Sequence, residues 1–312
     1  MNDSAQNDSG ILPSGESGRL RGRALVLAGA GAAGNAWQLG LIAGLASAGI
    51  DLTTADLVIG TSAGSTVAAQ ITSGAHPAEL YAAILAEVPQ DRATTSASPR
   101  ERTAQLSGPK YMEWSDGIIR ASAGAADMRR RIATAALDLD VSDGSASARW
   151  HDIVASRLPN AQWPRQRVLI TAIDARTGES VVFDRESGID LVDAVAASTS
   201  ALTPYRLGEQ RYLNGGYRRS SNTDLAAGCQ RVLVLEPFGG RSRHPLAWGM
   251  DLATQVEELR AAGCGVETIF PDAGAGDVFN ANALDPTTRL PAARGGYAQC
   301  RAISRQLAEF WN

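Results

Sequence analysis

The sequence is poor in cysteine. Its 312 residues include three cysteines, Cys229, Cys264 and Cys300, which are odd in number and widely spaced. This pattern fits neither a disulfide framework nor a metal site of paired cysteines. We therefore expect the three thiols to be buried as small apolar groups in a reducing compartment, and we predict that the protein needs no metal ion or other cofactor.

Long apolar runs are also absent. No stretch reaches the roughly 18 consecutive apolar residues that span a bilayer, and residues 1–23 lack the apolar segment of a secretion signal. We expect residues 1–23 to form a disordered polar tail. The protein is expected to be cytoplasmic, with only peripheral contact to any membrane.

Positive charge is not in excess. The sequence has 29 basic residues against 33 acidic ones, a net charge of −4, and Lys110 is the single lysine. A nucleic-acid-binding surface needs clustered basic side chains that neutralise phosphates, so we predict no nucleic-acid partner. Hydrophobic residues make up 44% and charged residues 20% of the chain, which is typical of a folded globular protein and excludes the disordered and fibrous classes.

Two strand-to-helix units follow the polar tail. Residues 24–28 and 56–59 are short apolar runs, each followed by a glycine-rich turn and a segment of helical character. Consecutive units of this kind predict a parallel sheet covered by helices. Further strands are predicted at 168–173, 180–183, 211–213, 232–235 and 266–269. Helices are predicted at 36–48, 79–87, 111–121, 126–139, 191–197, 245–262 and 291–311. Since no linker is visible, residues 24–227 are predicted to form the core of one domain that residues 228–312 complete.

A polar segment with little periodicity, at 90–108, interrupts the helical region. A connection of this length inside a domain is typical of a lid, a binding loop or local disorder. Tyr111 and Trp114, which follow it, are the candidates for a lid.

The first predicted strand is followed by a GxGxxG motif that runs from Gly29 to Gly34. With Asp51 and Asp56 roughly twenty residues further on, the motif is consistent with a dinucleotide-binding turn. By itself it is weak evidence.

The second predicted strand is followed by a GxSxG motif that runs from Gly60 to Gly64. The glycines permit a sharp bend that exposes the hydroxyl of Ser62 at a helix N-terminus. For an isolated motif, the alternative is a tight turn that packs a helix onto a sheet. Two such turns on consecutive strands favour a catalytic interpretation.

The two motifs together can serve a serine nucleophile. A serine that attacks an ester requires backbone N–H donors aimed at the developing oxyanion, and a glycine-rich turn on the neighbouring strand can supply them. We predict an oxyanion hole of this kind beside Ser62. Its donors would be the N–H groups of Gly29, Ala30, Gly31 and Ala63.

Histidine, the usual general base for a serine nucleophile, is scarce. The three histidines are His76, His151 and His244. Only His244 could fill the late position of histidine in an α/β-hydrolase triad. A surface loop is the more natural place for it, so a triad is the weaker interpretation.

The sequence resembles the bacterial patatin-like phospholipases in three blocks. These are the strand and glycine motif at 25–34, the GxSxG turn, and the segment 212–226, which contains Asn214, Gly215 and Gly216. The blocks stand in the family's order and span residues 24–227. The resemblance implies a three-layer α/β/α fold with a mostly parallel central sheet. It also implies that Ser62 is the nucleophile, that the first block forms the oxyanion hole, and that a Ser-Asp dyad without histidine hydrolyses lipid acyl esters.

Position 214 departs from the family, which has its catalytic aspartate there. Asn214 can orient the serine hydroxyl but cannot take up its proton. Four interpretations are open: a change introduced to trap substrate, a natural loss of activity, rescue by another carboxylate such as Asp224, and deamidation of the Asn-Gly pair. Ala30 and Ala33 also replace residues common in the family, but backbone donors survive an alanine.

We therefore predict a serine acyl-ester hydrolase of lipid metabolism that acts on a lipid or other acyl ester and is impaired by Asn214. The alternative is a catalytically inactive protein that binds a lipid or acyl chain on the same fold. A third, more distant hypothesis is a nucleotide-binding module that uses the turn from Gly29 to Gly34.

Overall fold

The computed structural model describes residues 21–87, 108–141 and 143–312. A central sheet of eight strands runs through these parts of the chain. Its strands are β1 (Arg23–Leu27), β2 (Leu57–Gly60), β3 (Arg167–Asp174), β4 (Ser180–Phe183), β5 (Tyr205–Leu207), β6 (Gln210–Asn214), β7 (Arg231–Leu235) and β8 (Gly265–Ile269).

The strands lie in the order β5-β6-β3-β2-β1-β7-β8, and β4 pairs with β3 outside this row. Neighbours from β3 through β2, β1 and β7 to β8 are parallel, whereas β4, β5 and β6 pair antiparallel. The predicted mostly parallel sheet is confirmed. Because parallel strands end at the same edge, the turns that follow β1, β2 and β7 lie side by side.

Helices cover both faces of the sheet. The helices of the described residues are α1 (Gly31–Ser47), α2 (Ala63–Ile71), α3 (Pro77–Leu85), α4 (Gly108–Ala121), α5 (Ala125–Leu139), α6 (Ser145–Arg157), α7 (Leu191–Thr199), α8 (Leu252–Ala261) and α9 (Arg289–Trp311). Alternate residues of β1 enter two apolar clusters. Leu25 and Leu27 belong to the cluster that contains the buried face of α1, while Ala24 and Val26 belong to the cluster that contains α8. The three-layer α/β/α arrangement follows from this alternation.

The last helix, α9, packs closely against α1. A Cβ atom on Gly40 of α1 would lie 2.1 Å from the carbonyl oxygen of Ala293, and one on Gly296 of α9 would lie 2.3 Å from that of Trp37. The buried indole of Trp37 also donates a hydrogen bond to Gln299 of α9, at 3.0 Å. Residues near the C-terminus therefore share a layer with the first helix.

Two predicted helices differ from the structure by more than three residues at one end, and the others by at most three. α1 begins at Gly31 and not at residue 36, because Gly31, with a φ of 57°, turns the chain into the helix inside the glycine motif. The predicted helix at 245–262 is in fact a short 3₁₀ turn, Leu246–Trp248, followed by α8. Gly249, with a φ of 61°, separates the two, and Asp251 caps α8 by accepting a hydrogen bond from the N–H of Thr254.

The sequence pattern does not separately predict α6 or β5. β5 has only three residues, which is too short for an apolar alternation to be visible. Residues 1–20 of the predicted tail and residues 90–107 of the predicted loop lie outside the described residues. Among the helices that the structure describes, none has the length and apolar character needed to cross a bilayer.

Candidate active site

Ser62 lies at the sharp turn between β2 and α2. Its φ of 53° and ψ of −124° are unusual for a residue with a side chain, and such a conformation typically costs about 1–3 kcal/mol. Gly60 and Gly64 make the turn possible, since a Cβ atom on Gly64 would lie 2.0 Å from the carbonyl oxygen of Leu27 and one on Gly60 would lie 2.5 Å from the Cα of Ser65. The close packing of α2 against β1 therefore holds Ser62 in its strained conformation.

The backbone around Ser62 is also tied to neighbouring elements. The N–H of Ser62 donates to Ser198 Oγ on α7, at 2.9 Å, and the N–H of Thr61 donates to the carbonyl oxygen of Leu27 on β1, at 3.0 Å. The side chain of Ser198 is fully buried. These bonds fix the turn from two sides.

The GxGxxG turn lies directly against Ser62. A Cβ atom on Gly29 would lie 2.7 Å from the Cβ of Ser62 and 3.1 Å from the carbonyl oxygen of Thr61. Only glycine fits at this approach. The two glycine motifs, predicted to act together, are therefore in contact.

Several backbone N–H groups at this contact have no acceptor within the described residues. Those of Gly29, Ala30, Gly31 and Ala63 make no hydrogen bond to any residue in the described parts of the chain. Gly31 and Ala63 are the first residues of α1 and α2, where the first-turn N–H groups of a helix lack an intrahelical partner. Free donors at helix N-termini favour the binding of an anion or of a developing oxyanion.

The end of β6 brings Asn214 to Ser62. The Asn214 side chain is 9% exposed, and its Nδ2 donates a hydrogen bond to Ser62 Oγ at 2.9 Å. Its Oδ1 accepts a hydrogen bond from the N–H of Gly216, also at 2.9 Å. A backbone N–H can only donate, so the amide atom that faces Gly216 is the oxygen and the NH₂ group must face Ser62. Asn214 is thus a donor to the serine hydroxyl.

The glycine motif after Asn214 packs against β3. A Cβ atom on Gly215 would lie 2.1 Å from Thr171 Oγ1, which leaves room only for glycine. Gly216 supplies the N–H that orients Asn214. Close packing therefore explains the glycine at position 215.

Asp224, the carboxylate considered as a replacement base, is held elsewhere. Both of its oxygens accept hydrogen bonds from Arg218, at 2.9 and 2.7 Å. Among the described residues, the hydrogen-bond partner of Ser62 Oγ is Asn214. Asp224 does not contact the serine in this arrangement.

The histidines lie apart from Ser62. His76 caps α3 by accepting a hydrogen bond from the N–H of residue 78, and His151 lies on the exposed side of α6. His244 packs beside Trp248, with ring centroids 6.2 Å apart. Burial and the neighbouring Arg243 lower the pKa of His244 to about 4. None of the three forms a hydrogen bond with Ser62 within the described structure.

Tyr111, a candidate lid residue, lies beside the third block. Its hydroxyl forms a 2.7 Å hydrogen bond with that of Tyr217, and Tyr217 donates to the carbonyl oxygen of Ala201 at 2.6 Å. The ring of Trp114 lies 6.2 Å from that of Tyr111. The start of α4 is thus tied to the segment that follows Asn214.

The sequence analysis assigns no role to two residues of the site. Ser198 and Asn222 are buried polar residues that contact the turn at Ser62 through hydrogen bonds. Asn222 stands in a run of seven polar residues, 218–224, within the third block, and this position is the one available hint. The contacts themselves join positions that are distant in sequence.

Comparisons with known proteins give one family match and two similar solved structures. Residues 25–227 match the patatin-like phospholipase family. Two solved structures are similar at low identity. VipD from Legionella pneumophila is 12% identical with a TM-score of 0.45, and 92% of this chain and 67% of that chain are covered. The type III effector protein ExoU is 15% identical with a TM-score of 0.41, and 92% of this chain and 53% of that chain are covered. The chain thus spans about half the length of ExoU. No curated protein gives a significant sequence match.

Proposed function

The chain belongs to the patatin-like phospholipase family, and from this premise we propose that it is a serine acyl-ester hydrolase whose turnover is impaired by Asn214. The substrate is a lipid or another acyl ester. Lipids are held in membranes or micelles, and we propose that the protein contacts such a surface only peripherally. The single observation that carries the proposal is the 2.9 Å contact between Ser62 Oγ and the Asn214 amide on a strained turn.

In the proposed reaction, Ser62 Oγ attacks the carbonyl carbon of the ester. As the bond forms, the Ser62 proton passes to a water molecule, because the Asn214 amide cannot accept it. The carbonyl oxygen becomes an oxyanion, for which the N–H groups of Gly29, Ala30, Gly31 and Ala63 are the proposed donors. The ester C–O bond then breaks, and the alcohol leaves with a proton returned by water. A second water molecule attacks the acyl-serine, which releases the carboxylic acid and restores the Ser62 hydroxyl. Donors of this kind commonly account for a factor of about 10²–10³ in turnover.

The weak point of the reaction is the proton of Ser62. A carboxylate at position 214 would accept this proton, whereas the amide of Asn214 directs its NH₂ group at the serine oxygen. The loss of a general base typically reduces the rate by about 10²–10⁴. The oxyanion hole and substrate binding alone still supply a residual rate of about 10³–10⁴ over water. We therefore propose slow, not absent, hydrolysis.

The alternative proposal is a protein that binds acyl chains without turning them over. The orientation of Asn214 favours it, because the Gly216 N–H holds the amide oxygen away from Ser62. A stable hydrogen bond to Ser62 Oγ makes the hydroxyl an acceptor and lowers its tendency to attack. Residue 214 decides between the two proposals.

The test compares three proteins on short and medium p-nitrophenyl esters: the unmodified 312-residue chain, its Asn214→Asp variant and its Ser62→Ala variant. We expect Asn214→Asp to hydrolyse these esters about 10²–10⁴-fold faster than the unmodified chain, and the unmodified chain to exceed Ser62→Ala by a small margin. If the unmodified chain equals Ser62→Ala while Asn214→Asp is active, the acyl-binding alternative is supported. Inactivity of all three on every ester would overturn the hydrolase proposal.

Intact mass spectrometry tests the deamidation interpretation. Both polar atoms of the buried Asn214 amide are hydrogen bonded, so we expect the mass of the unmodified chain to stay constant on storage at neutral pH. An increase of about one dalton that coincides with rising activity would instead support deamidation. The measurement is needed because an asparagine followed by glycine, as at Asn214 and Gly215, is prone to deamidation.

A further inference from the structure

Asn222 occupies an uncommon and costly position. Its side chain is 0% exposed, and its backbone has a φ of 55° and a ψ of 31°, in the left-handed region that side-chain-bearing residues rarely adopt. A buried amide is unfavourable unless its polar atoms are hydrogen bonded. The hydrogen bonds of the Asn222 amide must therefore offset the cost of its burial, and the groups that it contacts indicate its role.

The amide nitrogen of Asn222 contacts both loops of the candidate site. Nδ2 donates to Thr61 Oγ1 at 2.9 Å and to the carbonyl oxygen of Gly215 at 3.0 Å. Thr61 precedes Ser62, and Gly215 follows Asn214. One side chain thus joins the neighbours of the two residues that meet at the site.

The strands that carry these loops are not adjacent. β3 lies between β2 and β6 in the sheet, so the two strand axes are about 10 Å apart at the usual spacing. Thr171, on β3, fills this gap, because its Oγ1 donates to Thr61 Oγ1 and lies 3.2 Å from Asn222 Nδ2. Backbone pairing with β3 sets the spacing of β2 and β6, and the side chains of Thr171 and Asn222 join the two turns beyond the ends of these strands.

The orientation of the Asn222 amide is fixed from its other end. Arg218 Nη1 donates to Asn222 Oδ1 at 2.9 Å, and the same guanidinium makes the paired contact with Asp224. Because a guanidinium can only donate, the Asn222 atom that faces it is the oxygen. The NH₂ group must then face Thr61 and Gly215.

We propose that Asn222 is a positioning residue that sets the separation of Ser62 and residue 214 by tying the turn at Thr61 to the turn at Gly215. Arg218 and Asp224 orient its amide for this role. The inference rests on the proposed hydrolase function, since it assigns Asn222 to the same site.

The test uses the 312-residue chain carrying Asn214→Asp as the parent, with p-nitrophenyl butyrate as the substrate. Asn222→Asp keeps the size of the side chain but replaces the donor to Gly215 with an oxygen. Asn222→Gly keeps the left-handed backbone favourable and removes the side chain. Asn160→Asp is the control, because Asn160 is exposed and uses only its acceptor oxygen, which an aspartate retains.

We expect both Asn222 variants to lose about 10- to 100-fold in kcat with a nearly unchanged KM, because small displacements of reacting groups act on the chemical step. Asn160→Asp should match the parent. All rates are measured well below the Tm of each variant, with the folded fraction determined by circular dichroism. A mere loss of stability would disappear under these conditions, whereas a positioning defect persists.

Two outcomes overturn the inference, and they are distinguishable. If the parent hydrolyses the ester and both Asn222 variants keep its kcat within about twofold, Asn222 does not position the pair and the hydrolase proposal stands. If the parent itself does not exceed Ser62→Ala, the hydrolase proposal fails, and the inference fails with it.

Discussion

Gly29 and Ser62 are in contact: a Cβ atom on Gly29 would lie 2.7 Å from the Cβ of Ser62. The two residues are on turns that follow neighbouring parallel strands, β1 and β2. This approach places the first turn directly against the serine. It also means that the first turn tolerates no side chain at this position.

Gly29→Ala is therefore expected to displace the turn at Ser62. The added methyl group meets the Ser62 Cβ and the carbonyl oxygen of Thr61. The Cβ atom is bonded directly to the backbone and the oxygen is part of it, so neither can move aside without a shift of the turn. A shift of reacting groups by about 1 Å can reduce a rate by about 10²-fold. We expect a loss of this size in kcat/KM for p-nitrophenyl esters, measured in the chain that carries Asn214→Asp.

Gly117→Ala is the matched control for this substitution. Gly117 is an exposed residue of α4, and nothing lies within 4 Å of its ideal Cβ position. Alanine in a helix is favoured over glycine by about 1 kcal/mol, so this variant should be at least as stable and fully active. Equal activity of the Gly29→Ala variant and the parent would contradict the steric argument.

A second prediction concerns Glu236, a buried carboxyl group that follows β7. Its side chain accepts hydrogen bonds from Ser221 Oγ at 2.5 Å and from the N–H of Phe238 at 3.2 Å, and the residue is 5% exposed. Burial raises the pKa of Glu236 from 4.5 to about 7. The unfolded chain therefore releases this proton at a lower pH than the folded protein does. The free energy of unfolding consequently falls as pH rises from about 4.5 to 7.

The expected contribution is a loss of up to about 3 kcal/mol in the free energy of unfolding over this pH window. Glu236→Gln removes the ionisation, so its free energy of unfolding relative to the unmodified chain should increase between pH 4.5 and 7. Urea denaturation at several pH values measures the difference. Glu186→Gln, at an exposed position, controls for the loss of a carboxyl group. If the free energies of unfolding of the unmodified chain and of Glu236→Gln change in parallel with pH, the prediction is wrong.

A third prediction concerns the different contributions to stability of Tyr111 and Tyr217, whose hydroxyls link α4 to the segment after Asn214. The single proton of the Tyr217 hydroxyl is donated to the carbonyl oxygen of Ala201, so Tyr111 must be the donor in the bond between the two hydroxyls. Burial raises the pKa of both groups, which keeps them protonated. Tyr111→Phe removes one hydrogen bond, whereas Tyr217→Phe removes two, those of the Tyr111 hydroxyl and of the half-buried Ala201 carbonyl oxygen.

We expect Tyr111→Phe to lower the free energy of unfolding by about 1 kcal/mol and Tyr217→Phe by about 2 kcal/mol or more. Chemical denaturation of both variants at neutral pH measures this order. The double variant should cost little more than Tyr217→Phe, because the bond between the hydroxyls is already absent there. Equal costs for the two single variants would exclude the inferred direction of the hydrogen bonds.

Much of the fold could be predicted from the sequence. Four strands, β1, β2, β3 and β7, are largely apolar runs, and the pattern of strands buried on both faces predicts them to within a few residues. β5 is too short to be visible. The helix predicted across Gly249 was wrong, because a glycine with positive φ followed by a capping Asp251 starts a new helix there.

The candidate site could be predicted in part. The glycines of the turns are required because the backbone there bends sharply or approaches another segment closely. Such local requirements are visible as a sequence motif. Ser198, Thr171 and Asn222 could not be found in this way, because they act through hydrogen bonds to Ser62, Thr61 and Gly215 across the sheet. Glu236 was missed for a related reason: a lone glutamate in sequence carries no sign of its burial.

The sequence by itself determined that position 214 has no carboxylate and that glycines surround Ser62, because these are properties of residue type. Only the tertiary structure decided which way the Asn214 amide faces. The Gly216 N–H takes the amide oxygen and directs the NH₂ group toward Ser62 Oγ. The direction of a hydrogen bond depends on the donors and acceptors that the fold brings together, and the sequence does not state those partners.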